Sequence, residues 1–542
     1  MTARRLKHWG WGYADQQPDR AAVEAMVPLV RERLGFEVDR VEEPVPFEAL
    51  EVAPPRLRVP DGYGDLITAD PYERVSRAMG KAYRDVVRGF RGQFDRTPDL
   101  VALPPDEDGV HRALELAADR RLAVIPFGGG TSVVGGVEPR VGHGYRGVMT
   151  IDLRGLDRVL EIDEVSGSAL IQGGATGPGL EAQLGGRGLT LRHFPQSFEY
   201  STLGGWIATR AGGHFATGPT HIDDLVSSVR AITPRGVWES RRLPSSGAGP
   251  SPDRMLLGSE GILGLITEAW VRVRPRPTEK RSCAVRFDRF SAGVAAAREL
   301  AQSGLEPANC RLLDPLEAET TGAGDGSHAI LIVGFESAGV PVAERMELAL
   351  ELTRDHGGEP GEVRGGEGGG KPAGDDDAAG SWRSAFLQAP YLRDSLIALG
   401  VLTETFESAI TWDRFDAFHA QVTEAARRTV AEVTDAPPDG PGAPRISCRF
   451  THLYPEGPAP YFTVIAPARR GSEVEQWDEI KAAVSEAIIA AGGTITHHHA
   501  VGRDHRPWYD LQRPEPFAEA LGAAKRAVDP EGLLNPGVLV DP

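Results

Sequence analysis

A chain of 542 residues is too long for one compact core and divides into two or three folded units. Its formal net charge of -18 at pH 7 excludes broad nucleic-acid binding, which needs basic surface to neutralise phosphates, though not a local basic pocket for a small anion. Hydrophobic content of 41% with 25% charged residues is that of a globular protein, and no apolar run reaches the roughly 20 residues that span a bilayer.

Cys283, Cys310 and Cys448 stand far apart without CxxC spacing, so neither a disulfide framework nor a zinc knuckle is expected, and a reducing cytoplasm is the expected setting. "MTARRLKHWGWGYADQQ" lacks the apolar core of a secretory signal, and "VLVDP" is not a peroxisomal address. Residues 1–95 mix helical and Pro-rich extended stretches, with "PYERVSRAMGKAYRDVVRGF" reading as one amphipathic helix. A strand at Leu100–Leu103 precedes a helix capped by Asp106 or Asp108, and "LAVIPF" then makes a buried strand that ends in glycines. Short strands follow in "GVMTIDL", "RVLEID" and "GSALIQGG", then a helix in "GPGLEAQLGGRG" and a half-buried strand in "GILGLITEAWVRVRPRP". Pro275 and Pro277 punctuate a boundary near 278, dividing 96–278 from a second α+β unit over 279–495. Within it, Gly357 to Gly380 reads as a mobile surface loop, and "RISCRFTHLY" and "PYFTVIAP" read as strands. Residues 496–542 hold a histidine run and a short terminal helix, "PFAEALGAAKRAVD".

"PFGGGTSVVGG" (Pro126 to Gly136) is neither a Walker A loop nor a G-x-G-x-x-G fingerprint, since Val133 falls where the last glycine belongs. Its three glycines with Thr131 and Ser132 still offer unhindered backbone donors just after a strand, which suits a diphosphate; a tight structural turn is the plainer alternative. Two further Gly/Ser/Thr loops, His193 to Gly213 and Leu256 to Ala269, favour a long ligand such as a dinucleotide gripped at several places.

The order "PFGGGTS … GGAT … PQS … STLGGW … TRAGG … TPRG … GSEGILGLITEA" resembles the FAD-binding domain of the vanillyl-alcohol-oxidase/PCMH flavoprotein superfamily over about 96–276. "HWGWGY", "STLGGWIATRAGG", "YLRDSLIALGVLTETFESAITWDR", "THHHAVG" and "VDPEGLLNPGVL" are similar to the alkylglycerone-phosphate synthase (alkyldihydroxyacetonephosphate synthase) family within it, across nearly the whole chain. The resemblance implies an α+β protein. A two-subdomain PCMH-type FAD-binding domain is followed by an α+β substrate (cap) domain with an antiparallel sheet, and a C-terminal segment returns to the flavin site. It implies that Pro126, Phe127, Gly128, Gly129, Gly130, Thr131 and Ser132 wrap the FAD diphosphate. Pro195, Gln196, Ser197, Phe198, Glu199, Tyr200 and Ser201, with Ala208, Thr209, Arg210 and Ala211, would hold the ribityl and flavin side. Glu260, Gly261, Ile262, Leu263, Gly264, Leu265 and Ile266 would meet the adenosine end. Some relatives attach FAD through a histidine of the first loop; none stands there in this sequence, so FAD is expected to be non-covalent.

Read alone, Arg393 is a surface cation paired with Asp394 or Glu404 on a helix whose apolar face is Leu392, Leu396, Leu399 and Leu402. The resemblance instead sets it at the substrate's anionic head group, with Thr405 nearby, a role that suits a planar guanidinium. Tyr461 reads as an ordinary strand tyrosine, or by resemblance as an active-site hydrogen-bond donor. In an extended segment His497 and His499 face one way and His498 the other; a zinc site on His497 and His499 lacks a neighbouring Cys or carboxylate in the sequence, and no metal is expected. The resemblance makes His498 the proton-transfer candidate, supported by His497 and His499, and Ala500 stands where the family pattern has glycine.

The resemblance implies exchange of the acyl group of acyl-dihydroxyacetone phosphate for a fatty alcohol, through a covalent adduct at flavin N5 and without net redox. It implies peripheral contact with a membrane surface and is compatible with a homodimer. The alternative within the superfamily is an FAD-linked oxidoreductase acting on a 2-hydroxyacid or similar alcohol. A flavin-binding protein without catalysis leaves Arg393 and the histidines unexplained.

Overall fold

Short apolar runs bounded by glycine become the strands of two sheets in the first half of the molecule. The computed structural model describes residues 4–215, 217–367 and 378–541. Strands Leu100–Ala102, Gly147–Asp152 and Leu122–Phe127 pair in parallel, with Ile67–Thr68 antiparallel on the outer edge. Helix Glu107–Arg120 is capped by Asp106, whose carboxylate accepts from the Gly109 N–H at 2.9 Å. A second, antiparallel sheet runs Val159–Asp163, Ser168–Gln172, Leu265–Arg272, Val226–Thr233, Gly236–Glu239. Together they make the α+β, two-subdomain arrangement expected of an FAD-binding domain.

The second half is an eight-stranded antiparallel sheet. Its order is Glu359–Pro360, Glu279–Phe287, Ala329–Ser337, Asn309–Leu313, Arg445–Leu453, Pro458–Pro467, Val401–Glu407, and Arg364–Glu367 pairs with Glu279–Phe287. Helices Phe290–Gln302, Ala343–Asp355, Phe415–Thr434 and Glu473–Ala490 bury their apolar stripes with this sheet in the largest core cluster. The glycine-rich stretch from Gly357 is in part ordered into two of these short edge strands; residues 368–377 of it lie outside the described residues.

Two readings of local structure are corrected by long-range contacts. Residues 71–90 form two helices, Pro71–Val75 and Tyr83–Phe90, because the chain between them docks on the first glycine loop. The Lys81 N–H donates to the Ser132 carbonyl at 2.6 Å, and a Cβ on Gly80 would lie 2.2 Å from that same oxygen. Helix Ala378–Ala398 ends before left-handed Gly400 (φ +74°), and strand Val401–Glu407 begins immediately, so Leu402 faces the sheet core rather than extending the helix, while Leu392 is exposed.

Both termini fold back. The Val124 N–H donates to the Leu533 carbonyl at 2.8 Å and the Asn535 N–H returns to the Val124 carbonyl at 2.8 Å, extending the parallel sheet. At the N-terminus, "HWGWG" lies under helix Ala378–Ala398: Lys7 Nζ pairs with Asp394 at 2.9 Å, both side chains almost fully buried, and the Trp11 N–H donates to the same carboxylate at 3.0 Å. Gly10 (φ +62°) is required, since a Cβ there would lie 2.4 Å from the Asp394 oxygen.

Replacing Lys7 by methionine strands the Asp394 carboxylate without its cation. We expect a loss of about 3 kcal/mol, measured as a lower urea midpoint at unchanged slope; a loss below about 1 kcal/mol would show that the pair contributes no more than a surface ion pair.

Candidate active site

Three glycine-bearing loops and one face of the large sheet enclose a cavity of about 390 Å³. The first loop supplies the complete stretch Pro126 to Ser132. Among the described residues no protein acceptor meets the backbone N–H groups of Gly129, Gly130 and Thr131, as expected of a turn that receives an anion. Its glycines are sterically required: a Cβ on Gly129 would lie 2.1 Å from the Tyr200 carbonyl oxygen, and one on Gly128 2.3 Å from the Thr202 hydroxyl. Donor-rich, narrow and backed by a strand, this cradle fits the diphosphate of FAD.

The opposite wall is built around a carboxylate that the sequence reading did not single out. Glu407 is 2% exposed. It accepts from three consecutive backbone N–H groups: His497 at 2.7 Å, His498 at 3.2 Å and His499 at 3.1 Å, while the Thr496 hydroxyl donates at 2.6 Å. The histidine run is therefore a bend wrapped on an anion, and the strand-like alternation expected of it does not occur. His498 and His499 line the cavity; His497 lies behind them, with its Nδ1 3.0 Å from His498 Nδ1. Gly212 admits this packing, since a Cβ there would lie 2.9 Å from the His452 ring and 3.2 Å from His498 Cβ. Ala500 adopts φ +72°, a left-handed backbone that costs a non-glycine residue about 1 kcal/mol.

Register across three strands sets the polar floor. Glu407 pairs with Tyr461, and Tyr461 with Arg449, so the three fall in one row. The Arg449 guanidinium lies 4.0 Å from the Tyr461 ring centroid and is tied to Glu317. The Tyr461 ring stacks 6.1 Å from His498 and meets His499 edge-on at 5.5 Å, and Thr405 bonds its hydroxyl. Burial raises the Tyr461 phenol above its ordinary value, so it remains a neutral donor. Arg393 lines the same cavity and donates to the Lys81 carbonyl at 3.1 Å. Neither partner expected from sequence binds it: Asp394 is taken by Lys7, and Glu404 accepts from the Trp477 indole at 2.7 Å and sits 3.5 Å from Lys481.

Several residues expected at the ligand point elsewhere. Phe198 packs beside Gly177 and stacks on Trp206; Glu199 and Tyr200 bond Tyr391. Arg210 is held 2.8 Å from Asp223, and Ile262 and Leu263 are core residues. Pro195, Gln196, Ser197 and Ser201 line the cavity, as do Ala208, Thr209 and Ala211, and Glu260, Gly261, Gly264, Leu265 and Ile266. The Glu260 carboxylate accepts from the Val501 and Gly502 N–H groups at 2.9 and 2.8 Å, tying the histidine segment to the third glycine-bearing loop; burial raises it to about 7. His452 was also missed. Its Nε2–H donates to the Gly213 carbonyl at 2.9 Å, and its nitrogens come within 4.8 Å of those of His497 and His498. The neighbouring sequence supplies no Cys or carboxylate beside the histidines, but the fold brings the His452 imidazole and the Glu407 carboxylate next to them; His497 and His498 are themselves joined by a hydrogen bond.

Residues 98–240 match the FAD binding domain family, and residues 276–539 match the C-terminal domain of FAD linked oxidases. The chain is 32% identical over 507 residues to the alkyldihydroxyacetonephosphate synthase of Trypanosoma brucei brucei, covering 88% of this chain and 78% of the relative. It is 30% identical over 508 residues to that of Dictyostelium discoideum, covering 88% and 79%. A solved structure of an alkyldihydroxyacetonephosphate synthase shares its fold at a TM-score of 0.78 and 24% identity, covering 98% of each chain. The chain belongs to the alkyldihydroxyacetonephosphate synthase family. It is an FAD-dependent enzyme, and the cradle at Pro126 to Ser132 lies within the matched FAD-binding segment.

Burial pushes His498 down to about 3 and His499 to about 4 against the pull of Glu407, and pushes His452 and His497 well below the ordinary value. Burial alone would raise Glu407; the charge that His498, His499 and His497 carry when protonated, together with the Thr496 hydroxyl, acts the other way and holds it well below the usual carboxylate range. At neutral pH the histidines are neutral and Glu407 is ionised. The unfolded chain binds protons at these histidines near pH 6.5, before the folded protein does, so stability falls as pH drops below about 6.5, by up to roughly 1.4 kcal/mol per pH unit for each. Urea midpoints measured from pH 7.5 to pH 4.5 are expected to decline steadily. A flat profile over that window would contradict burial of neutral imidazoles.

Proposed function

We propose that the protein exchanges the acyl group of acyl-dihydroxyacetone phosphate for a fatty alcohol, yielding an ether-linked product and a fatty acid. The observation that carries this is the opening of Arg393, His498 and Tyr461 onto the same cavity as the glycine cradle. An anion-binding fork, a neutral imidazole and a phenol donor thus converge on one substrate next to the cofactor. Bound in the cradle, FAD supplies an electron-accepting ring.

Arg393 binds the phosphate through its planar donors. His498, neutral at working pH, takes a proton from the substrate carbon that bears the acyloxy group and later returns it. Tyr461 donates a hydrogen bond to the departing carboxylate oxygen and then to the entering alcohol. Leu396, Pro390, Ala389 and Ile465 give the cavity an apolar side for an alkyl chain. Among the described residues no helix is long and apolar enough to cross a membrane; the reading takes peripheral contact with a lipid surface as the route of both substrates. An FAD-linked oxidation of a 2-hydroxyacid uses the same kinds of groups and is the reading to be tested against it.

Under anaerobic conditions the yellow holoenzyme is expected to form alkyl product from acyl-dihydroxyacetone phosphate and hexadecanol without bleaching. Bleaching by 2-hydroxyacids with no alkyl product would overturn the assignment. Arg393→Met is expected to raise KM for the phosphorylated substrate at least about tenfold. His498→Gln should lower kcat by about 10²-fold or more, with flavin content unchanged in both. An unaltered KM in the first, or kcat in the second, would remove that residue from the role given.

A further inference from the structure

The buried base has a path to solvent, and its far end is a residue that the family motifs do not touch. His221 Nδ1 lies 3.0 Å from the Arg210 carbonyl oxygen, which can only accept, so Nδ1 carries the hydrogen and neutral His221 is bare at Nε2. His497 Nε2 lies 3.1 Å from that bare nitrogen and donates to it. The Tyr454 hydroxyl, 2.8 Å from His497 Nε2 and 3.2 Å from the Thr220 hydroxyl, accepts from the first and donates to the second. His497 is then bare at Nδ1 and accepts from His498 Nδ1 at 3.0 Å. The second neighbour of His498 Nδ1 is the Glu407 carboxylate at 3.4 Å, which also only accepts. Both contacts place the hydrogen on His498 Nδ1 and leave Nε2 bare, on a ring that lines the cavity.

We propose that His221 is the solvent end of a proton relay that runs from His498 through His497. This rests on the reading of His498 as the base of the exchange reaction. The substrate C–H bond breaks with its electron pair left on carbon, and the proton goes to His498 Nε2. His498 Nδ1–H passes to His497 Nδ1, and His497 Nε2–H passes to His221 Nε2. His221 now carries hydrogens on both nitrogens and releases one to water. No electron is transferred out of the relay, and the buried pair never holds a lasting charge. His498 is left with hydrogen on Nε2, the form that acts as an acid; the reverse sequence restores the base.

The groups around His221 suit a transient cation. It is half-buried, and the preceding Gly218 and Pro219 are exposed. Asp224 accepts from its backbone N–H at 3.4 Å, and Asp223, Asp224 and the Arg210 carbonyl favour its charged form against burial and the Arg210 guanidinium. His452 and His497 face it from the sheet side, with ring centroids 5.9 and 4.7 Å away. Burial still lowers His221 overall, with Asp223, the Arg210 carbonyl and Asp224 offsetting part of it, whereas the inner rings of His497 and His498 are pushed well below the ordinary value, so a charge is less costly at the surface end.

The test uses the FAD-loaded enzyme. Nitrogen-15 NMR of histidine-labelled wild type is expected to show hydrogen at Nδ1 of His221, Nε2 of His497 and Nδ1 of His498. Deuterium wash-in from D2O to the acyloxy-bearing carbon of acyl-dihydroxyacetone phosphate is expected to slow about tenfold in His221→Phe and His221→Ala, with KM unchanged. Added imidazole is expected to restore wash-in in His221→Ala and not in the filled His221→Phe site. Wash-in within twofold of wild type in both variants, hydrogen on His498 Nε2 in the resting enzyme, or zinc retained at one per chain would each overturn the relay. Wild-type enzyme inert toward the substrate pair would sink the substrate assignment, whereas hydrogen positions other than those expected by NMR would break the chain of bonds from His498 to His221 whatever the substrate.

Discussion

A buried carboxylate needs several donors to remain ionised, and Glu407 finds its donors in the backbone of the histidine run. Three consecutive N–H groups and the Thr496 hydroxyl converge on it, so the run must bend around the anion. That bend turns His498 and His499 to the cavity and leaves His497 behind them, facing His221. Glu407 itself is held by strand register: it stands opposite Tyr461, which stands opposite Arg449. One row of an antiparallel sheet thus sets the position of an anion, a phenol and a cation, and the anion sets the histidines.

The rest of the site depends on how closely separate segments can approach. Gly80 against Ser132, Gly129 against Tyr200 and Gly212 against His452 are three positions where any side chain would push the loops apart. They join the N-terminal region, the flavin cradle and the sheet domain around one cavity. Returning chain ends add to this. The strap at Lys7 fastens the helix that carries Arg393, while Glu260 and the C-terminal Asn535 fasten the histidine segment to the FAD-binding half. The cavity wall is assembled from parts that are hundreds of residues apart in sequence.

That distribution explains which features were legible in the sequence. The strands at Leu122–Phe127, Gly147–Asp152 and Leu265–Arg272 were readable because apolar runs bounded by glycine and proline carry their own signal. The first glycine loop was readable for the same local reason, and all seven residues named there line the cavity. Local pattern failed wherever a distant partner decided. The helical period through residues 71–90 was broken by Ser132, and the alternation of the histidines was overridden by a carboxylate 90 residues upstream. Phe198 and Tyr200 sit among cavity-lining loop residues yet pack on protein, and Arg210 is exposed beside Asp223, because within a loop the direction of each side chain follows the turn and not the motif. Glu407 lay in a quoted motif, but nothing in its neighbourhood distinguished it from a surface strand carboxylate.

Glu407 acts on the site by shaping the histidine run. Glu407→Gln keeps the volume but turns an amide NH2 toward donors that need an acceptor, costing about 3 kcal/mol at the clamp. The measurement that decides is the rate of deuterium wash-in to substrate by the FAD-loaded, folded variant. The expected fall is about 10²-fold, with flavin content and KM for the phosphorylated substrate unchanged. A variant that retains wash-in within threefold of wild type while its clamp is broken would contradict it.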